Sequence, residues 1–180
     1  MSDAPRSSLA APPADDAGEY LPYYARYVAL VPAGDVLATL EGQLADTVAV
    51  VDAVGEARAG HRYAPGKWSV RQVLGHLIDT ERIFGYRALA AARGEGASLP
   101  GFDENAYVAA ADFDARTLGS LLGEWTSVRR ATLALFRNLD EPALARRVVA
   151  NGAPMSARAA AWIVAGHELH HREILRTRYA

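Results

Sequence analysis

From Asp35 onward the apolar residues of this chain recur at intervals of three and four, in four stretches of about 20 residues each. That period puts side chains on one face of a helix and cannot serve a strand, whose faces alternate every second residue. Four amphipathic helices of this length bury their apolar stripes best against one another. The chain is therefore expected to be all-α, folded as a four-helix bundle. Composition agrees: 51% of the residues are hydrophobic, and alanine, the strongest helix former, is the commonest.

The boundaries are marked by local signals. The first helix is expected from about Asp35, its cap, to Val54, with Leu37, Leu40, Leu44, Val48 and Val51 on its buried face. The second opens on a capping box of Ser69 and Gln72, with Trp68 placed to staple onto Val73, and stops at Gly94. The third begins near Thr117, carries Leu118, Leu121, Leu122, Trp125, Val128 and Phe136, and ends before Asp140-Glu141-Pro142. The fourth runs from near Ser156 to about Arg176. A longer connection, Gly94 to Arg116, joins helices two and three, and its apolar piece Ala106–Ala111 is expected to cross the bundle. Residues 140–155 read as a further connector. Residues 1–19 are small, polar and proline-rich, the composition of a flexible tail, and 20–180 read as a single domain. The aromatic patch Tyr20, Tyr23, Tyr24 and Tyr27 reads as packing over one end of the bundle, with pocket lining as the alternative.

Charge and cysteine usage exclude several functions. Nineteen basic against 21 acidic residues, without a basic run, give no nucleic-acid or anionic-membrane surface. Charges interrupt every apolar stretch before it could span a bilayer. The start lacks the basic and apolar regions of a signal peptide, which makes the cytoplasm the expected location. Cysteine is absent, so a metal here would be held by nitrogen and oxygen, and no thiol nucleophile belongs to the chain.

The histidines are His61, His76, His167, His170 and His171. Around the fourth helix, Ala160, Ile163, Val164, His167, His171, Ile174 and Leu175 share one arc of about 120°. Two imidazoles one turn apart thus stand in the stripe that faces the core, with His170 at its edge. A buried imidazole without a partner costs roughly 1–3 kcal/mol, and the i, i+4 spacing suits two ligands of one ion. For one inward histidine a hydrogen-bonded core residue is the simpler reading; for the pair, metal ligation is equally open. His76 lies at the margin of the arc formed by Val70, Val73, Leu77, Phe84 and Ala88, where a ligand reaching across or a half-exposed histidine would both sit. Three imidazoles would cover one face of an ion and leave other positions open, as catalytic sites do.

The run His167-Glu168-Leu169-His170-His171 also fits H-E-x-x-H, in which the glutamate is the general base of a zinc protease. Only nine residues follow His171, which leaves little room for a third protease ligand, and nothing upstream reads as a strand against which a substrate peptide would lie, so protease chemistry is disfavoured. Glu81, on the apolar side of its helix, reads as the partner of an arginine between helices. Asp79 reads either as a carboxylate orienting a ligating imidazole or as a solvated charge. His61 lies in a polar loop and receives no role. Phosphate-binding glycine loops and a G-x-S-x-G elbow are missing.

The run Lys67-Trp68-Ser69-Val70-Arg71-Gln72-Val73-Leu74-Gly75-His76-Leu77-Ile78-Asp79-Thr80-Glu81 resembles the second helix of the DinB superfamily. Phe102-Asp103-Glu104-Asn105-Ala106-Tyr107 resembles its crossing segment, and Ala165-Gly166-His167-Glu168-Leu169-His170-His171 its last helix. Pro22-Tyr23-Tyr24-Ala25-Arg26-Tyr27 resembles its lead-in. The likeness spans roughly residues 20–178 with the segments in order. It implies a DinB-like bundle in which a divalent metal ion is held by three histidines, mapping onto His76, His167 and His171; three imidazoles with open positions suit Ni, Zn, Fe or Mn. It also implies a small-molecule substrate, a low-molecular-weight thiol cosubstrate and a homodimer. In the expected chemistry the thiol loses its proton at the metal and attacks an electrophile. The alternatives are a hydrolase using metal-bound water and a non-catalytic dimeric bundle.

Overall fold

The computed structural model describes Leu9 and residues 18–179. In chain order the elements are α1 (Ala25–Val28), α2 (Val36–Val54), α3 (Val70–Arg93), α4 (Glu104–Ala110), α5 (Leu118–Arg137), α6 (Glu141–Ala145), β1 (Arg147–Ala150), β2 (Ala153–Ser156) and α7 (Ala157–Arg178). The four long helices α2, α3, α5 and α7 are the four expected ones. Asp35, Thr117 and Ser156 cap α2, α5 and α7 by accepting from the amides of Leu37, Ser120 and Ala159. The reciprocal capping box of Ser69 and Gln72 opens α3. At its other end the Glu95 amide returns to the Ala90 carbonyl, closing α3 just past Gly94.

Both α2 and α3 pack against α5 and α7, so α2 and α3 lie diagonally across the bundle. The connection between helices two and three of the bundle includes α4, which packs on α3. Two apolar clusters fill the interior. One gathers Leu40, Phe84, Leu133, Phe136, Trp162 and Ile163; the other gathers Val51, Leu74, Ile78, Leu121, Trp125 and Leu175. Along every long helix a buried polar residue separates the two: Gln43 and Thr47 on α2, Glu81 on α3, Arg129 on α5 and Glu168 on α7. Arg129 donates from Nε and Nη2 to Glu81 at 2.8 and 2.9 Å, and from Nη2 to Glu168. Its Nη1 donates to the Leu40 carbonyl and to Gln43. The arginine partner expected for Glu81 is therefore Arg129.

The connector 140–155 is more structured than its composition suggests. It holds α6 and an antiparallel hairpin of β1 and β2, closed by Asn151 and Gly152 at φ 54° and 77°. Positive φ at both central residues is the type I′ turn that Asn-Gly encodes. Leu99 joins beside it: its amide donates to the Val149 carbonyl, and its carbonyl accepts from the Asn151 amide. The tail expected over residues 1–19 lies outside the described residues except at Leu9, Gly18 and Glu19. Leu9 is buried, its carbonyl accepting from Trp162 Nε1 at 3.2 Å, and Glu19 is buried against Ser156 and Arg158. No helix among the described residues is long and apolar enough to cross a membrane.

Truncating Arg129 leaves two buried carboxylates without their counter-ion. Arg129→Met is expected to cost about 3–5 kcal/mol of stability in urea denaturation. Adding Glu81→Gln and Glu168→Gln in that background should recover part of the loss, because the orphaned charge is then removed.

Candidate metal centre

Two of the expected histidines meet where α3 faces α7. His76 Nε2 lies 3.0 Å from His167 Nε2, and His171 stands one turn further along α7. The His76 ring centre is 4.9 Å from each of the other two, which are 4.6 Å apart. One nitrogen from each of the three lies within 4.8 Å of the other two. His76, placed by sequence at the edge of its apolar arc, is buried like His167, while His171 is partly exposed.

Backbone contacts made possible by small residues bring these side chains together. Gly75, just before His76, lies under the Phe113 ring, which any Cβ there would overlap. Gly166, just before His167, receives the Tyr27 carbonyl oxygen in the space a Cβ would occupy. This seats α1 directly on α7, and the Tyr27 ring meets His167 and His170 edge-on at 5.3 and 5.5 Å. Trp68 covers the other side, 4.7 Å from His76 and stacked 6.5 Å from His171. The aromatic lead-in thus packs over the bundle and also lines the site.

Burial suppresses the charged form of these imidazoles. It pushes His76 down to about 4. Burial, and then the neighbouring histidines, hold His167 and His171 well below the ordinary histidine value. All three are neutral near pH 7 and keep a lone pair free for a cation. Two nitrogens bound to one ion at about 2.1 Å lie about 3.0–3.4 Å apart, so the His76–His167 spacing fits a shared divalent metal. Thr80 Oγ1, 3.4 Å from His76 Nδ1, leaves Nε2 facing the cluster.

The remaining candidates fall elsewhere. Asp79 lies 3.9 Å from Arg82 on the helix face. Glu168 is buried against Arg129 and Thr47, so its carboxylate serves the polar layer instead of acting as the base of an H-E-x-x-H site. His61 sits near Tyr179, 6.2 Å between ring centres. His170 reaches the cavity wall beside His171.

That cavity, of about 390 Å³, opens over the three imidazoles. Tyr23, Tyr24, Tyr27, Phe84 and Phe102 supply aromatic wall, and Arg26, Arg87, Glu104 and Asn151 supply polar groups. No periodicity or motif marks either arginine for this cavity; Asn151-Gly152 signals a turn, and the fold brings that turn to the cavity wall.

The model of the DinB superfamily matches residues 39–175. The chain belongs to the DinB superfamily. No curated protein matches it. Among solved structures it is similar to YfiT from Bacillus subtilis, described as a probable metal-dependent hydrolase with an unusual four-helix bundle topology. That likeness has a TM-score of 0.71 at 21% identity, over 80% of this chain and 83% of YfiT. It is also similar to the mycothiol-dependent maleylpyruvate isomerase, with a TM-score of 0.62 at 18% identity. There the match covers 78% of this chain and 59% of the isomerase. At these identities the likeness establishes the fold.

The depressed histidines make the metal-free protein acid-sensitive. Between the unfolded-state value near 6.5 and the folded value of about 4 for His76, the unfolded chain binds the proton and the folded one does not. Stability should therefore fall as pH drops through that window, by up to about 1.4 kcal/mol per pH unit for each such histidine. Urea midpoints from pH 7 to 5 measure the slope, and His76→Phe should make it shallower.

Proposed function

We propose that this protein is a divalent-metal-dependent enzyme, with residues 20–180 acting as one domain. In this reading His76, His167 and His171 hold the cation, and a low-molecular-weight thiol is transferred to an electrophilic small molecule in the cavity above them. The observation that carries it is three neutral, converging imidazoles at the base of an open cavity. A divalent cation there supplies Lewis acidity, lowering the pKa of a thiol that reaches its open side. With no cysteine in the chain, the sulfur comes with a cosubstrate.

The chain's own residues would position the reactants. Tyr27 and Trp68 hold the imidazole rings and keep water off their faces, and Thr80 orients His76. Tyr24, Phe84 and Phe102 would hold the apolar body of the electrophile. The sulfur–carbon bond forms as the bond to the leaving group breaks; the leaving group keeps the electron pair, and the thiol's proton balances its charge. Likeness to a mycothiol-dependent isomerase supports this reading. Likeness to YfiT supports a second one, hydrolysis, in which water replaces the thiol. Hydrolysis also needs an acceptor for the water's proton, and Glu168 is already taken by Arg129 and Thr47. A cytoplasmic location belongs to the same proposal, as does a homodimer, the latter on the family resemblance alone.

Metal analysis of protein purified without an affinity tag should find a stoichiometric divalent cation, lost in His76→Ala. Added Ni²⁺ or Co²⁺ should quench the emission of Trp68, and Trp68→Phe should abolish that quenching. Electrophile consumption only when a thiol is supplied identifies the transferase, and turnover in water alone identifies the hydrolase. Metal-free wild type that gains no cation on titration would remove both.

A further inference from the structure

The cavity contains a cation that the metal centre does not explain. Arg87 is 2% exposed, and no carboxylate pairs with it among the described residues. Its Nη2 donates to the Pro100 carbonyl at 3.0 Å, the neutral Tyr24 hydroxyl lies beside the guanidinium, and Nη1 is buried with no hydrogen-bond partner. The guanidinium lies against the faces of Phe84 and Phe102, 5.1 and 5.9 Å from the ring centres. A buried guanidinium in apolar surroundings is costly unless something neutralises it. The other buried arginine among the described residues, Arg129, has two carboxylates for that purpose. Arg87 has none, and unlike Arg129 it lines the cavity.

Its place on α3 gives the distance. His76, Thr80, Phe84 and Arg87 all line the cavity and share one stripe of the helix, His76 and Arg87 being about three turns apart. The backbone rise between the two positions is about 16 Å, and the longer arginine side chain, leaning toward the helix N-terminus further than the histidine does, brings its guanidinium closer to the imidazoles than that. The wall between is Thr80 and Phe84. Arg26 and Arg87 set two positive charges against the single carboxylate of Glu104.

We infer that the small molecule bound in this cavity carries a carboxylate, seated on Arg87 at the end remote from the histidines. The inference rests on the metal-site reading for the position of the reacting atom. A guanidinium edge with a free donor matches a carboxylate, and a small rotation brings the enclosed Nη1 onto its oxygen. Phe84, Phe102 and Tyr24 surround an apolar segment between the two ends. The substrate class is then an elongated organic acid, reactive at one end and anionic at the other.

Two titrations test this. Cobalt(II)-loaded protein is titrated with ω-mercaptohexanoate and with ω-mercaptohexanol, followed by the sulfur-to-cobalt charge-transfer absorption. The acid should bind wild type about tenfold more tightly than the alcohol, the difference expected of a charge-assisted hydrogen bond. Arg87→Met should bind the two equally while its cobalt affinity stays unchanged. In the second titration, metal-free protein is given hexanoate or hexanol and its Tm is followed. Hexanoate should raise the Tm more than hexanol in wild type but not in Arg87→Met. Failure to take up cobalt would count against the metal reading, and the metal-free arm still decides the role of Arg87. Equal responses of wild type to acid and alcohol would overturn the inference without any variant. So would an acid preference that persists in Arg87→Met.

Discussion

The Arg129 fork fixes the arrangement on which the site depends. Apolar packing is largely non-directional, so two greasy clusters alone would let helices rotate or slide against one another. Arg129 instead requires acceptors at set positions on α2, α3 and α7. Its partner on α3, Glu81, lies five residues past His76, and its partner on α7, Glu168, directly follows His167. Once both carboxylates reach the guanidinium, the rotation of α3 and α7 is set, and His76 and His167 point at each other. The layer also leaves two carboxylates against one guanidinium. Burial pushes Glu168 up to about 7, which relieves part of that excess. What negative charge remains lies behind neutral imidazoles, where it favours a cation.

The diagonal topology then decides where the site opens. α3 and α7 are neighbours in space though far apart in sequence, and the elements laid beside them form the cavity rim. Short α1 lies on α7 because Gly166 has no side chain, and it carries Arg26 and Tyr27 to the rim. The hairpin contributes Asn151 from its turn, with the Asn151 side chain filling the space beside Gly101. Outside the four helices, α1, α4 and the hairpin turn thus each give side chains to the wall of one cavity.

Most of this scaffold was legible in the sequence, because helix period and capping are local. Asp35, Ser69, Thr117 and Ser156 each mark a helix start through a bond spanning two or three residues. His167 and His171 were legible for the same reason, since their shared face follows from spacing along one helix. Partners across the bundle were not. Nothing local shows that Glu81 meets Arg129, nor that His76 is buried; both depend on how α3 turns against α5 and α7. The hairpin had a local signal, Asn151-Gly152, but strands of four residues show too little alternation to stand out in a helical background. Arg87 was invisible because its significance lies in having no carboxylate partner among the described residues.

The charge balance of the site points its chemistry in one direction. Three neutral imidazoles do not reduce the charge of a divalent cation, whereas carboxylate or thiolate ligands would. The positive charge would therefore act on whatever enters the cavity, only partly offset by the carboxylates behind. Arg26 and Arg87 add to it from the walls, where Glu104 is the one carboxylate set against them. In the proposed reading such a cavity would discriminate by charge before shape. It would favour ligands that are anionic, or become so on losing a proton, and among these the ones whose apolar length reaches from α7 to Arg87.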